Sequence, residues 1–172
     1  AAYGELPARV GARLIEVKGL RHIIEALPVL REQRVPVELR VIGYADPPDM
    51  DYPALAARLD VADLVKFLGY QPPPRVREEM ATCHIFLQPS VTTRDGIIEG
   101  AHPTTLCESQ AIGCPVIATR HSDIPEAVLD GVTGRLVDEK KPEQIAEAVK
   151  WFWDHPGEIA AYGRRAREHV EK

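Results

Sequence analysis

Six short apolar runs recur along this chain, at residues 10–15, 37–43, 65–69, 84–89, 114–119 and 133–137, and a helix-forming stretch follows each. Runs this short, rich in Val, Ile and Leu, suit strands covered on both faces. Their alternation with helices builds βαβ units. The expected fold is therefore α/β: a Rossmann-like parallel sheet of about six strands with helices on both faces. In such sheets the ligand lies outside the carboxyl ends of the strands. The loops at 11–19, 43–49, 69–74, 89–103 and 119–123 are accordingly the ones to search.

The helix patterns fit this frame. Leu20, Ile23, Ile24, Leu27 and Leu30 recur at three- and four-residue steps, the apolar stripe of an amphipathic helix. Pro28 is placed to kink or loosen it, and Pro36 ends the segment. Tyr52, Leu55 and Leu59 mark a second helix. Residues 71–74 read as an extended connector before a short helix at 75–82. A further helix ends near Gly113. Asp123 is a plausible cap for a short helix at 123–128, closed by Asp130-Gly131. Ile145, Ala148, Val149 and Phe152 share one face of a helix opened by Lys141-Pro142. The charges of a last helix, 156–170, read as a solvated face.

The length of 172 residues suits one domain, and 45% hydrophobic with 27% charged residues argues against disorder. A net charge of −5 excludes bulk nucleic-acid binding, so an anionic ligand must be caught by local cations and helix ends. The three cysteines, Cys83, Cys107 and Cys114, show no C-x-x-C spacing. They read as buried small hydrophobes in a reducing compartment, with neither disulfide nor zinc. The absence of a long apolar run or signal peptide fits a cytoplasmic chain. The abrupt start, Ala1-Ala2-Tyr3-Gly4, reads as a cut from a longer polypeptide.

Two constellations fall on the expected edge. Arg13 and Lys18 flank a tight loop ending in Gly19 ahead of a helix. A planar fork and a point charge together suit a diphosphate, although each alone could be a surface cation. Glu99 and Glu108 sit around a strand-to-helix junction containing Gly100 and Pro103. A carboxylate can accept both hydroxyls of a ribose, and a second can meet a sugar. Solvated acids at an ordinary helix start fit the spacing equally well. A glycosidase pair would need a fixed carboxyl separation that the sequence does not supply.

Four stretches in order carry a resemblance. They are Gly11-Ala12-Arg13-Leu14-Ile15-Glu16-Val17-Lys18-Gly19; Phe67-Leu68-Gly69-Tyr70; the segment from Glu99 to Glu108 continuing through Gly113-Cys114-Pro115 to Thr119; and Ile124-Pro125-Glu126-Ala127-Val128 with Asp130-Gly131-Val132-Thr133-Gly134. Together they resemble the C-terminal, nucleotide-sugar-binding half of a family 4 (group 1) glycosyltransferase with the two-domain GT-B architecture, over nearly the whole chain.

The resemblance implies a single donor-binding domain over 1–172, with the N-terminal acceptor domain absent. It implies a retaining hexosyltransferase whose donor is a UDP-, GDP- or ADP-hexose, with no cofactor and no metal. Arg13 and Lys18 would bind the diphosphate, Glu99 would lie by the transferred sugar, and Glu108 would hold the ribose. Gly11 belongs to the first motif. Leu68 and Gly69 would pack on the base. Gly100, Ala101, His102, Pro103, Thr104, Thr105 and Leu106 belong to the segment that would line the sugar and phosphates, with backbone N–H groups around Ala101, His102, Thr104, Thr105 and Leu106 making the contacts. The partners implied are the nucleotide sugar and the acceptor domain of the full-length protein, with no nucleic acid and with peripheral membrane association through the missing half. The isolated domain is expected to bind nucleotide and transfer little.

The departures from the common pattern are specific. Eight residues, Gly100 to Cys107, separate the glutamates instead of seven, as in a subset with a Glu-Gly-x-x-Pro-Thr opening. Ala101-His102 replaces a bulky residue and glycine, and Ala12 separates Gly11 from Arg13. His84, His102 and His121 are not assigned a catalytic role; His121 is expected in the core or on the surface. A nucleotide- or phosphosugar-binding module without transfer chemistry, and an epimerase of related architecture, are the alternatives.

Overall fold

The structure, a computed structural model, describes residues 8–13 (backbone only), 18–43, 50–98 and 103–171. Six strands form one sheet: β1 Ala8–Arg13, β2 Val37–Ile42, β3 Val65–Phe67, β4 Ile85–Gln88, β5 Val116–Thr119 and β6 Gly134–Val137. All neighbouring pairs are parallel, in the order β3-β2-β1-β4-β5-β6. The chain works outward from β1 through β2 to β3, crosses the sheet, and works outward again from β4. The topological switch therefore lies between β1 and β4.

Seven helices cover the sheet among the described residues: α1 Leu20–Glu32, α2 Tyr52–Arg58, α3 Pro73–Thr82, α4 Thr104–Ile112, α5 Ile124–Ala127, α6 Pro142–Asp154 and α7 Pro156–Val170. Right-handed crossovers dictate their sides. Helices α1, α2 and α6 pack on one face against Leu39, Val41, Ile85, Leu87, Ile117 and Val137. On the other face, Met80 of α3, Leu106 of α4 and Ile124 of α5 pack against Phe86, Val116, Ala118 and Leu136. Alternate residues of β4 and β5 thus feed different cores, and every residue of both strands is buried.

Strand β2 behaves differently. It buries one side and leaves Glu38 and Arg40 half-buried on the other. There Arg40 Nη2 donates to Glu79 Oε1 at 3.1 Å, with Nε 2.9 Å from Oε2. Arg75 adds a second hydrogen bond to Glu79 at 2.6 Å. Glu38 stands 2.6 Å from Lys66 on β3. The charges are held by the sheet and α3, so the edge of this face is closed by ion pairs where apolar cover thins out.

Several local expectations are revised. Helix α1 runs unbroken through Pro28. Helix α3 begins at Pro73, earlier than the connector reading allowed, because a proline at a first-turn position gives up an N–H that has no partner there. A 3-10 turn, Ala62–Leu64, precedes β3 without any periodic apolar signal. Asp123 occupies the cap position of α5 but makes no side-chain capping bond. Cys114 is buried, whereas Cys83 and Cys107 are only half-buried, and all three are free. Burial and the neighbouring Cys83 raise the Cys114 thiol well above its usual range, with the hydrogen bond to Cys83 the larger cause.

The last helix is more than a solvated face. Tyr162 is buried between Trp151 and Phe152, and Arg165 lies over the Tyr162 ring at 4.5 Å while donating to the Val132 carbonyl at 2.8 Å. Gly163 meets Gly113, the left-handed residue ending α4; a Cβ on Gly163 would stand 1.9 Å from the Gly113 carbonyl oxygen. Helix α7 thereby locks onto the far end of α4.

Candidate functional site

The crevice of such a sheet opens where the connections leave in opposite directions, over the carboxyl ends of β1 and β4. The loop from β1 ends in Lys18-Gly19, and the loop from β4 begins at Pro89. They touch: Gly19 has φ 73°, and a Cβ there would lie 1.9 Å from the Pro89 carbonyl oxygen. Only glycine satisfies both the left-handed backbone and that approach. Lys18 beside it is 9% exposed, so the surface-cation reading does not hold for it.

Helix α4 starts at the same crevice. Thr105 in its first turn donates its hydroxyl to Gln88 Oε1, at the end of β4, at 2.6 Å, with both side chains buried. Pro103 precedes the helix and no side chain caps it. The first-turn amides of Thr104 and Thr105 thus face the edge that also carries Lys18, and a helix N-terminus adds positive potential. One of the expected amide contacts needs correction. The Pro103 carbonyl takes the Leu106 N–H at 2.8 Å, so the Leu106 amide is engaged within the first turn of α4 and is not open to a ligand. The Leu106 side chain belongs to the core.

Glu108 lies one turn beyond Thr104, and both are exposed, so they share the outward face of α4. Gly69, with φ 63°, follows β3; its carbonyl accepts from Gly43 N–H at 2.9 Å, and Gln71 donates to the Leu68 carbonyl at 2.6 Å. Leu68 and Gly69 therefore reach the same edge from two strands away, with Tyr70 exposed beside them. Gly11 is inside the β1 ladder, opposite Arg40 and Phe86, and Arg13 ends that strand. Glu99, Gly100, Ala101 and His102 lie outside the described residues, as does the middle of the loop joining Arg13 to Lys18.

A second constellation escaped the sequence reading. His121, after β5, is 2% exposed, and its Nδ1 is 2.6 Å from Glu139 Oε1. Glu139, after β6, accepts the Thr92 backbone N–H at 2.8 Å. Burial pushes the Glu139 carboxyl up, but hydrogen bonds from His121 and Thr92 outweigh it and hold the group below the usual carboxylate range. The loop after β6 was the one post-strand loop not singled out from the sequence. Placing it on the edge with the others is the signal that finds Glu139. Among the described residues no group of three or more His, Cys, Asp or Glu side chains could hold a metal ion. No helix among them is long and apolar enough to cross a membrane.

The fold recurs in known proteins. The chain is 38% identical over 161 residues to WcaL of Escherichia coli (strain K12), a provisionally named colanic acid biosynthesis glycosyltransferase; the match covers 93% of this chain and 39% of WcaL. The fold superimposes on Anabaena HepE in complex with UDP-glucose with a TM-score of 0.82 at 22% identity, covering 98% of this chain and 45% of HepE. The C-terminal domain of LpcC, a group 1 glycosyl transferase of Francisella tularensis, gives a TM-score of 0.80 at 24% identity and is itself 87% covered, by 97% of this chain. The chain thus spans about two-fifths of the length of WcaL and about half of HepE, and nearly all of a solved C-terminal domain. Residues 10–169 match the family model for glycosyl transferases group 1, and the chain belongs to that family.

Proposed function

We propose that this chain is the donor-binding half of a retaining glycosyltransferase, moving a hexose from a UDP-, GDP- or ADP-sugar to an acceptor hydroxyl. The observation that carries the reading is the meeting of three features at the β1/β4 switch point: buried Lys18, the Gly19–Pro89 contact, and the uncapped start of α4. A site with those features takes a diphosphate. HepE, which shares the fold, is described with UDP-glucose in place.

In this reading Arg13, Lys18 and the Thr104 and Thr105 amides meet the diphosphate. Glu108 accepts the ribose hydroxyls, and Leu68, Gly69 and Tyr70 border the base. Glu99 stands by the sugar. The C1–O bond to the β-phosphate breaks, and a C1–O bond to the acceptor forms on the same face of the sugar. The acceptor hydroxyl gives up its proton, and the leaving diphosphate gains negative charge. In this reading the cations and helix amides gathered at the switch point stabilise the transition state more than the ground state. The charge work assigned elsewhere to a metal falls here to these groups. The acceptor wall comes from polypeptide outside this chain, and any membrane attachment comes with it. The three free cysteines favour a reducing, cytoplasmic setting.

Calorimetric titration of the chain with UDP, GDP and ADP tests the reading. One of the three should bind, and Glu108→Ala should weaken it while leaving inorganic diphosphate unchanged. Absence of binding by all three at about 5 mM, weaker than any site worth the name, sinks it. Equal loss for nucleotide and diphosphate would favour a phosphate-binding module over a nucleotide-sugar site.

A further inference from the structure

The His121–Glu139–Thr92 arrangement joins three loops that the sequence keeps apart. Glu139 Oε2 takes the Thr92 N–H at 2.8 Å, and Oε1 lies 3.5 Å from the Thr92 hydroxyl and 2.6 Å from His121 Nδ1. A single carboxylate from the β6 loop thus holds the β4 loop and is itself held by the β5 loop. His121 is buried, so its ring cannot swing away without opening the structure.

Both ends of this clip are built stiffly. Asp138 beside Glu139 is tied to Gln144 of α6 in both directions, at 2.8 and 3.1 Å, and to Arg120 at 3.3 Å. Ser122 and Lys140, each next to a clip residue, hold left-handed backbone at φ 49° and 59°. Such conformations persist in non-glycine residues only where the surroundings enforce them.

Beyond Thr92 the chain closes on itself. Thr93 N–H donates to the Ile97 carbonyl at 2.9 Å, and Ile97 N–H donates to the Thr93 hydroxyl at 3.0 Å. The turn 93–97 is therefore a compact unit whose root is Thr92. Glu99 follows it by two residues.

Building on the nucleotide-sugar reading above, we propose that Glu139, held by His121, is a positioning residue for residues 92–97 of the loop that follows β4. It governs the grip on the donor's sugar and leaves the grip on its nucleotide to Lys18 and Glu108.

The test has a ligand-free arm and a ligand arm, both on this chain. In the first, hydrogen exchange of residues 92–98 is compared between wild type, Glu139→Ala and Glu139→Gln. The alanine variant should lose protection at 92–97 with α4 unchanged. Glutamine should restore it, because its oxygen can accept from Thr92 while its NH2 faces His121 Nδ1. In the second arm, affinities for UDP-glucose against UDP, GDP-mannose against GDP and ADP-glucose against ADP are measured. Glu139→Ala should weaken the sugar nucleotide about tenfold relative to the bare nucleotide, the size expected from lost hydrogen bonds to a charged group.

Unchanged exchange at 92–97 overturns the proposal. So does an equal loss of sugar nucleotide and bare nucleotide, which is what a merely structural residue would produce. If wild type binds none of the three pairs, the nucleotide-sugar reading falls, and the sugar-grip part of this proposal falls with it; the exchange arm still decides the loop-positioning part. Should the alanine variant not fold, Glu139→Asp, one methylene shorter, carries the same expectation with a smaller shift.

Discussion

Two charged clusters in this molecule look alike on paper and differ in what they join. Arg40, Glu79, Glu38 and Lys66 connect β2, β3 and α3, elements already fixed by the sheet and the crossover. His121, Glu139 and Thr92 connect three loops over the carboxyl edge, none of which the sheet alone would fix. In the first cluster the fold positions the charges. In the second the charges position the chain. The lesson is that a paired acid earns a functional reading from the elements it links rather than from its burial or its partner.

The largest expected effect breaks the first cluster. Glu79→Ala leaves the half-buried Arg40 to Glu38 at 3.5 Å and removes the Arg75 bond. It should cost about 2–3 kcal/mol in urea unfolding with nucleotide affinity intact in the folded protein. A large affinity loss without destabilisation would erase the contrast. Glu108→Ala comes next and in the opposite sense. It should lower nucleoside diphosphate affinity about tenfold, near 1.4 kcal/mol, while thermal unfolding barely moves, since the side chain is exposed.

The smallest effect is a pH dependence. The folded-state value of Glu139 is depressed, so its contribution is present at neutral pH, above the unfolded-state value, and is lost as pH falls through the folded value. Acid unfolding of Glu139→Gln should therefore be flatter below the ordinary glutamate range than that of wild type. An identical acid limb would show that the clip adds nothing through charge.

The parallel sheet was legible because β4 and β5 are apolar on both sides and the α1 stripe from Leu20 to Leu30 is periodic. These are local patterns with one physical meaning. The start of α3 was misplaced because Pro73 and Pro74 read equally as connector and as a helix's first turn. The turn at Ala62–Leu64 was missed because three residues cannot show a period. At the candidate site, Lys18 and Glu108 stand out in the sequence because short motifs carry them. Glu139 could not, since its meaning depends on Thr92 and His121, which only the folded sheet brings to it. Leu106 is assigned an amide contact from the sequence that the first turn of α4 uses internally.

The Gly19–Pro89 contact has a consequence for anyone recombining this family. The loops bearing Lys18 and Thr92 leave adjacent strands, and Gly19 rests on the Pro89 backbone carbonyl with the proline ring beside it, leaving little room to absorb a mismatch. A chimera that takes the first loop from a relative while keeping the second inherits one half of a fitted joint. On the nucleotide-sugar reading proposed above, donor preference should transfer only when both loops are exchanged as a set, and a single-loop graft should lose stability or nucleotide affinity.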